Sequence, residues 1–203
     1  MTIIWLTLMV GFLFSFLARY FAVPDINSPV FIRPSKSLAY VAAAVIVICS
    51  GLRNNIGDTF FYMHAYIVDD LSWIGILQNK DIGFGILQMV LKSYTDDPQI
   101  LIVVTALVTN FLIVMVLYKY ARLFDLAVYL YITSGAFIVS MNGIRQYLTA
   151  AIIFAATKYI LDGSWKKYML VVLIAALFHQ SALILIPIYF IVRRKAWTTV
   201  TFL

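Results

Sequence analysis

Six long apolar runs, with most charged side chains gathered at their ends, dictate what this chain can become: Ile3–Leu17, Leu38–Leu52, Ile100–Leu117, Leu126–Ser140, Ile144–Leu161 and Tyr168–Val192. A helix crossing a hydrocarbon core needs about 20 predominantly apolar residues; a shorter one leans on its flanks or thins the bilayer. The 203 residues are 64% hydrophobic and 12% charged, about half the charged share of soluble domains. Mean hydropathy is +0.96. No soluble core of this length needs so much apolar surface. The expected fold is all-α: a polytopic transmembrane helical bundle forming one membrane domain over residues 1–203. About five runs are expected to cross fully, with a broken or re-entrant last helix and a short interfacial helix in the outer loop.

The first run resembles a secretory signal only in length. It has no basic residues before it, Arg19 follows it, and no small-residue cleavage site is evident, so it is read as a retained span. The formal charge of +6 does not point to nucleic acid, because the basic residues sit at run ends as topology anchors do. The single cysteine, Cys49, lies inside an apolar run. It excludes an intrachain disulfide and reads as packing.

Charge counting sets the topology. If the last run doubles back at His179-Gln180-Ser181, one side holds Arg19, Arg33, Lys36, Lys119, Arg122, Lys158, Lys166, Lys167, Arg193, Arg194 and Lys195. That is eleven basic residues against four: Arg53, Lys80, Lys92 and Arg145. A single crossing moves the last three and leaves eight against seven. The preference for cytoplasmic basic residues favours the doubled-back form, although arms of about 11–12 residues, ~17 Å, reach only halfway across. The same topology puts the Arg53–Gln99 loop, the Asn142–Arg145 turn and the His179 tip on the outer side. That loop carries six of the nine aspartates and a ten-residue apolar segment, Ile82–Leu91, too short to cross and expected to be interfacial or re-entrant.

Three polar clusters thus meet on one face. Asn142, Arg145, Gln146 and Thr149 are spaced as one helical face at the start of an apolar run. An arginine near the bilayer centre costs about 2.5–3.5 kcal/mol, so Arg145 is expected to face protein, water or ligand. It either clasps an acid of the outer loop, Asp58 among them, or binds a diphosphate through its planar fork. Arg53, in Arg53-Asn54-Asn55-Ile56-Gly57-Asp58-Thr59, either binds an anion beside Asp58 or snorkels at a helix end. His179 either satisfies a hydrogen bond or takes a proton from a hydroxyl. Metal is not expected, since His64 is the one other histidine and no ligand spacing repeats. No cofactor is called for. Tyr129, Tyr131, Tyr147, Tyr159, Trp165 and Tyr168 read mostly as interface anchors.

Four blocks carry a family resemblance. They are Ser50-Gly51-Leu52-Arg53 with Ile56-Gly57-Asp58, Asp81-Ile82-Gly83-Phe84, Asn142-Gly143-Ile144-Arg145-Gln146-Tyr147, and Phe178-His179-Gln180-Ser181-Ala182-Leu183; the stretch Phe190–Trp197 adds to them. In order and spacing the chain resembles the EpsG family, bacterial membrane proteins of exopolysaccharide synthesis related to Wzy-type polymerases. Relatives often place the first-block aspartate one residue later and continue through further spans, so the chain is expected to be the N-terminal part of such a protein.

The resemblance implies a multi-pass protein of the bacterial cytoplasmic membrane that polymerises polyprenyl-diphosphate-linked oligosaccharide units at the outer face, among membrane lipid and other exopolysaccharide-synthesis proteins. Arg53 and Arg145 would stabilise the diphosphate, Asn142 and Gln146 would hold sugar hydroxyls, and His179 or Asp58 would take the acceptor proton. The rival expectation is a non-catalytic transporter or scaffold subunit for lipid-linked sugars. An acyltransferase using His179 is a second enzymatic rival.

Overall fold

Each apolar run becomes helix, since in hydrocarbon a backbone must satisfy its own hydrogen bonds. A computed structural model describes residues 2–30 and 32–194. Lys195 of the charge count and the Ala196-Trp197 end of the last shared stretch lie outside the described residues. The chain is nearly all helical. Helix α1 (Thr2–Tyr20) is followed by a two-residue hairpin, β1 (Val23–Pro24) paired antiparallel with β2 (Ile32–Arg33), and then by α2 (Lys36–Gly51). The Arg53–Gln99 loop holds α3 (Thr59–Val68), α4 (Trp73–Gln78) and α5 (Ile82–Lys92). Next come α6 (Gln99–Tyr120), α7 (Phe124–Thr133), α8 (Ala136–Asn142), α9 (Ile144–Ala155), α10 (Thr157–Leu161) and α11 (Trp165–Phe178). A 3-10 turn (Gln180–Ile184) leads into α12 (Leu185–Val192).

Among the described residues two helices, α1 and α6, are long and apolar enough to cross a membrane singly, and the pair α7–α8, bent by 53°, qualifies when taken together. The remaining apolar helices are shorter. Small side chains let the backbones approach: α1 buries Thr7, Gly11, Ser15 and Ala18, and α2 buries Ala39, Ala42 and Ala43. Close packing of this kind replaces the hydrophobic drive that lipid cannot supply. Helix α6 is the central post, burying residues along its length from Leu101 to Val116. Tyr131 and Tyr168 do not sit at a surface. Both are buried, and the Tyr131 hydroxyl donates to Asn110 Oδ1 at 2.8 Å.

Contacts sort the loops into two ends. At one, Arg19 pairs with Asp125 at 3.1 Å and the Tyr118 hydroxyl donates to the Pro34 carbonyl at 3.1 Å. At the other, the Gln99 amide donates to Gly51 O at 2.6 Å, and the backbone N–H of Asp58 donates to Asn142 Oδ1 at 2.8 Å.

The last run does break at His179, whose extended backbone (φ −159°, ψ 122°) ends α11. Pro187 stands in the first turn of α12, where its missing N–H is tolerated but an uninterrupted helix from upstream is not. The chain then returns along α11. The Tyr189 ring lies 5.1 Å from that of Tyr168, and the Arg193 guanidinium donates to the Ile160 carbonyl, back beside the turn where α11 began. A hairpin results, with His179 at its tip.

Candidate functional site

The His179 tip meets the Arg53–Gln99 loop because Gly83 allows it. A β-carbon at Gly83 would stand 2.9 Å from Leu177 Cβ and 3.0 Å from its carbonyl group, so α5 lies directly against the last turn of α11. This contact brings Asp81, the residue before α5, under the hairpin. One carboxylate oxygen, Asp81 Oδ2, accepts a hydrogen bond from Arg145 Nη1 at 2.8 Å and lies 3.5 Å from His179 Nδ1. The Asp81 side chain is only 11% exposed, sheltered between its two partners. The tip is tied a second time, where the Gln180 amide reaches the Lys80 carbonyl at 3.5 Å.

Two rings complete the setting of Arg145. Its guanidinium carbon lies 5.7 Å from the ring centroids of both Tyr62 on α3 and Phe84 on α5. Those rings meet edge to face at 6.0 Å. Cation–π attraction and the ion pair therefore hold the guanidinium in one plane. One turn deeper, the Thr149 hydroxyl donates to the Ala175 carbonyl at 3.3 Å and ties α9 to α11. A cleft of about 460 Å³ opens between α3, α5 and α9, its walls including Asp69, Gln78, Lys80, Asp81, Gln88 and Arg145. The side chain of Arg145 is 43% exposed, leaving donors unspent.

The other sequence candidates take different places. Asn142 does not share the helical face of Arg145: the helix breaks at Gly143, and Asn142 ends α8 instead of opening α9. Its amide oxygen is used by the Asp58 N–H, and it packs against Gly57, whose φ of +54° and close approach leave no room for a side chain. Gln146 is exposed, with its amide oxygen against Gly143. Asp58 is exposed at the start of α3, and no hydrogen bond to its carboxylate is found among the described residues.

Arg53 is 5% exposed. It donates to Thr59 Oγ1 at 3.1 Å, to Ser50 Oγ at 3.1 Å and to the Ser50 carbonyl. Among the described residues no carboxylate pairs with it, and burial lowers its guanidinium from the usual range to about 10, still charged at neutral pH. Its small enclosed space, shared with Thr105, Thr109, Asn110 and Ser140, is separate from the cleft; Ile144 lines the former and Arg145 the latter. The structure thus joins Arg145 to His179, joins Asp58 to Asn142, and sets Arg53 apart.

Asp81, Tyr62 and Phe84 are site residues that sequence reasoning does not single out. Asp81 is one of six acids in the loop, yet it stands in a shared block with Gly83 and Phe84. Within that block Asp81 supplies the carboxylate, Gly83 the close approach and Phe84 the ring. Gly83→Ala is expected to force α5 off α11, costing about 1–3 kcal/mol of stability as overpacking does. Thermal unfolding in detergent reads this, and an unshifted transition would show that the approach is not tight.

No group of three or more histidine, cysteine or acidic side chains suited to a metal occurs among the described residues. What the site can do is hold an anion at Arg145 and accept a proton at the His179 ring nitrogen facing away from Asp81.

Nothing among curated proteins or solved structures matches this chain. The model of the EpsG family matches residues 36–203, a span containing all four sequence blocks and every residue of the cleft. The chain belongs to the EpsG family, a family of exopolysaccharide-related membrane proteins.

Proposed function

We propose that the protein polymerises polyprenyl-diphosphate-linked oligosaccharide units at the outer face of the bacterial cytoplasmic membrane, alongside other exopolysaccharide-synthesis proteins. The observation that carries this reading is the single Asp81 oxygen shared by Arg145 and His179. It sets an anion-binding group and a proton acceptor side by side. Glycosyl transfer from a diphosphate needs both.

In the reaction, a hydroxyl oxygen of one unit attacks the anomeric carbon of another. The carbon–oxygen bond to the lipid diphosphate breaks, and its electron pair leaves with the diphosphate. The hydroxyl proton passes to His179 Nε2, since Nδ1 faces Asp81. Asp81 offsets the imidazolium that forms, as a carboxylate does for a histidine base in acyl transfer. The unspent donors of Arg145 meet the growing charge on the diphosphate, worth about 2.7–4 kcal/mol for a well-placed donor. Arg53 supports the site from behind by joining α2 to the start of α3. Gln78 and Gln88 on the cleft wall supply hydrogen bonds to sugar hydroxyls.

Reconstitution in liposomes supplied with lipid-linked repeat units tests this. Longer glycans are expected. Transbilayer movement without elongation would make the protein a transporter, and a modified but unlengthened glycan would make it an acyltransferase; either result overturns the proposal.

A further inference from the structure

The walls of the cleft have backs, and the backs are bare. Helix α3 is fixed on its inner side. The buried Tyr66 hydroxyl donates to the Thr95 carbonyl at 2.9 Å, and the Lys92 ammonium donates to the carbonyls of Tyr66 and Ile67 at 2.9 and 3.0 Å. On its other side Phe60, Phe61, Ile67 and Val68 are each more than half exposed, at 63%, 68%, 56% and 60%. At helical spacing these four fall within an arc of about 120°. The polar member of that arc is His64, its ring stacked on Phe60 at 5.9 Å. Helix α4 repeats the arrangement in one and a half turns: Ile76 is buried, while Trp73, Ile74 and Leu77 are 59%, 72% and 66% exposed.

This is not where an interfacial element was expected. The segment Ile82–Leu91, expected to be interfacial or re-entrant, is occupied by α5, which packs part of its surface against protein and lines the cleft with another part. Gly83, Phe84 and Gln88 are buried, and among its large apolar residues Val90 alone is well exposed. The bare apolar surface belongs instead to the two helices before it. It also continues an exposed apolar surface, because the end of α2 and the residue after it expose Ile48 and Leu52, at 57% and 67%, shortly before Phe60. Seven large apolar side chains on two short helices, next to the end of a membrane helix, match the apolar side of an interfacial helix, and tryptophan is the residue enriched at headgroup level.

We infer that α3 and α4 form an arm whose outer side is seated in the outer leaflet of the membrane, at the boundary of head groups and acyl chains, while its inner side walls the cleft. Tyr62 belongs to both roles, since it stands on the arm and touches Arg145. The occupant of this surface is lipid. The arm then holds the cleft at the depth where the head group of a lipid-linked ligand travels.

The experiment uses full-length protein in liposomes, with Trp5→Phe, Trp165→Phe and Trp197→Phe leaving Trp73 as the reporter. Phospholipids brominated near the start of the acyl chain are expected to quench Trp73, at a depth of about 5–10 Å below the headgroup boundary. Aqueous iodide is expected to quench it weakly. Iodide quenching as strong as for free tryptophan, with no effect of brominated lipid, would overturn the inference. Shielding from both quenchers would mean that protein covers the surface, and would overturn it as well. Should the triple variant fail to insert, a nitroxide at Ile74→Cys in a Cys49→Ala background reads the same depth from collisions with oxygen and with a polar nickel chelate. A water-exposed nitroxide there is equally fatal.

Discussion

Elongation of lipid-linked glycan should disappear in Arg145→Ala and fall at least about 100-fold in Arg145→Lys, with membrane insertion intact in both. The two variants separate charge from shape. Alanine removes the cation and leaves Asp81, 11% exposed, with a histidine as its one remaining partner among the described residues. Some loss of stability is therefore expected with alanine, though less than for a fully buried pair because Arg145 itself is 43% exposed. Lysine keeps a cation within reach of Asp81 but gives up the planar fork that lies 5.7 Å from both Tyr62 and Phe84. A lysine variant that folds normally and elongates poorly would place the requirement on the guanidinium. Elongation at the normal rate in either variant would remove the diphosphate role.

The second large effect is expected at Asp81. In Asp81→Asn the side chain keeps its size and still accepts from Arg145, but the amide cannot offset an imidazolium. The rate of elongation should drop by roughly 100-fold or more, the ordinary worth of a positioned base. The substrate concentration for half-maximal rate should change far less, since Arg145 keeps its unspent donors. Asp81→Glu should recover part of the rate, because it restores the charge with a longer reach. A purely structural Asp81 would behave otherwise: asparagine would lower thermal stability and leave the rate per folded molecule unchanged. Steady-state elongation measured on protein normalised by folded fraction distinguishes these outcomes.

The helical character and the run positions were legible, for a physical reason, while of about five full crossings expected, two helices, or three with the bent pair, are long enough among the described residues. Apolar run ends mark where helices meet water or head groups, so Ile100–Leu117 and Leu38–Leu52 fall within a few residues of α6 and α2. The interruption at His179 was visible because three polar residues in an apolar run must either face protein or end the helix. Breaks made by backbone geometry were less visible. Gly143 separates Asn142 from Arg145, so a face drawn through both residues by helical spacing joins two helices that do not share an axis.

The site was legible in part. Arg145 and His179 stood out as polar groups on apolar elements. Asp81 did not, because it lies among other acids and its partners are 64 and 98 residues away. Tyr62 and Phe84 were hidden for a similar reason: an aromatic ring in an apolar segment carries no local sign that a guanidinium will rest on it. The shared block Asp81-Ile82-Gly83-Phe84 gave the clue, since a glycine two residues after an acid at the start of an apolar segment invites the question of what comes close.

The hairpin of α11 and α12 also bears on how the chain enters a bilayer. A single crossing would carry Arg193 and Arg194 through the hydrocarbon, at about 2.5–3.5 kcal/mol for each arginine passing the centre. By folding back, the chain leaves Arg193 beside the Ile160 carbonyl and Gly163, next to the turn from which α11 departed, with Arg194 following it. Insertion then has to push down only a tip of histidine, glutamine and serine, with no arginine or lysine in it. The base of the proposed reaction is delivered to its place by the cheapest cargo this stretch can offer.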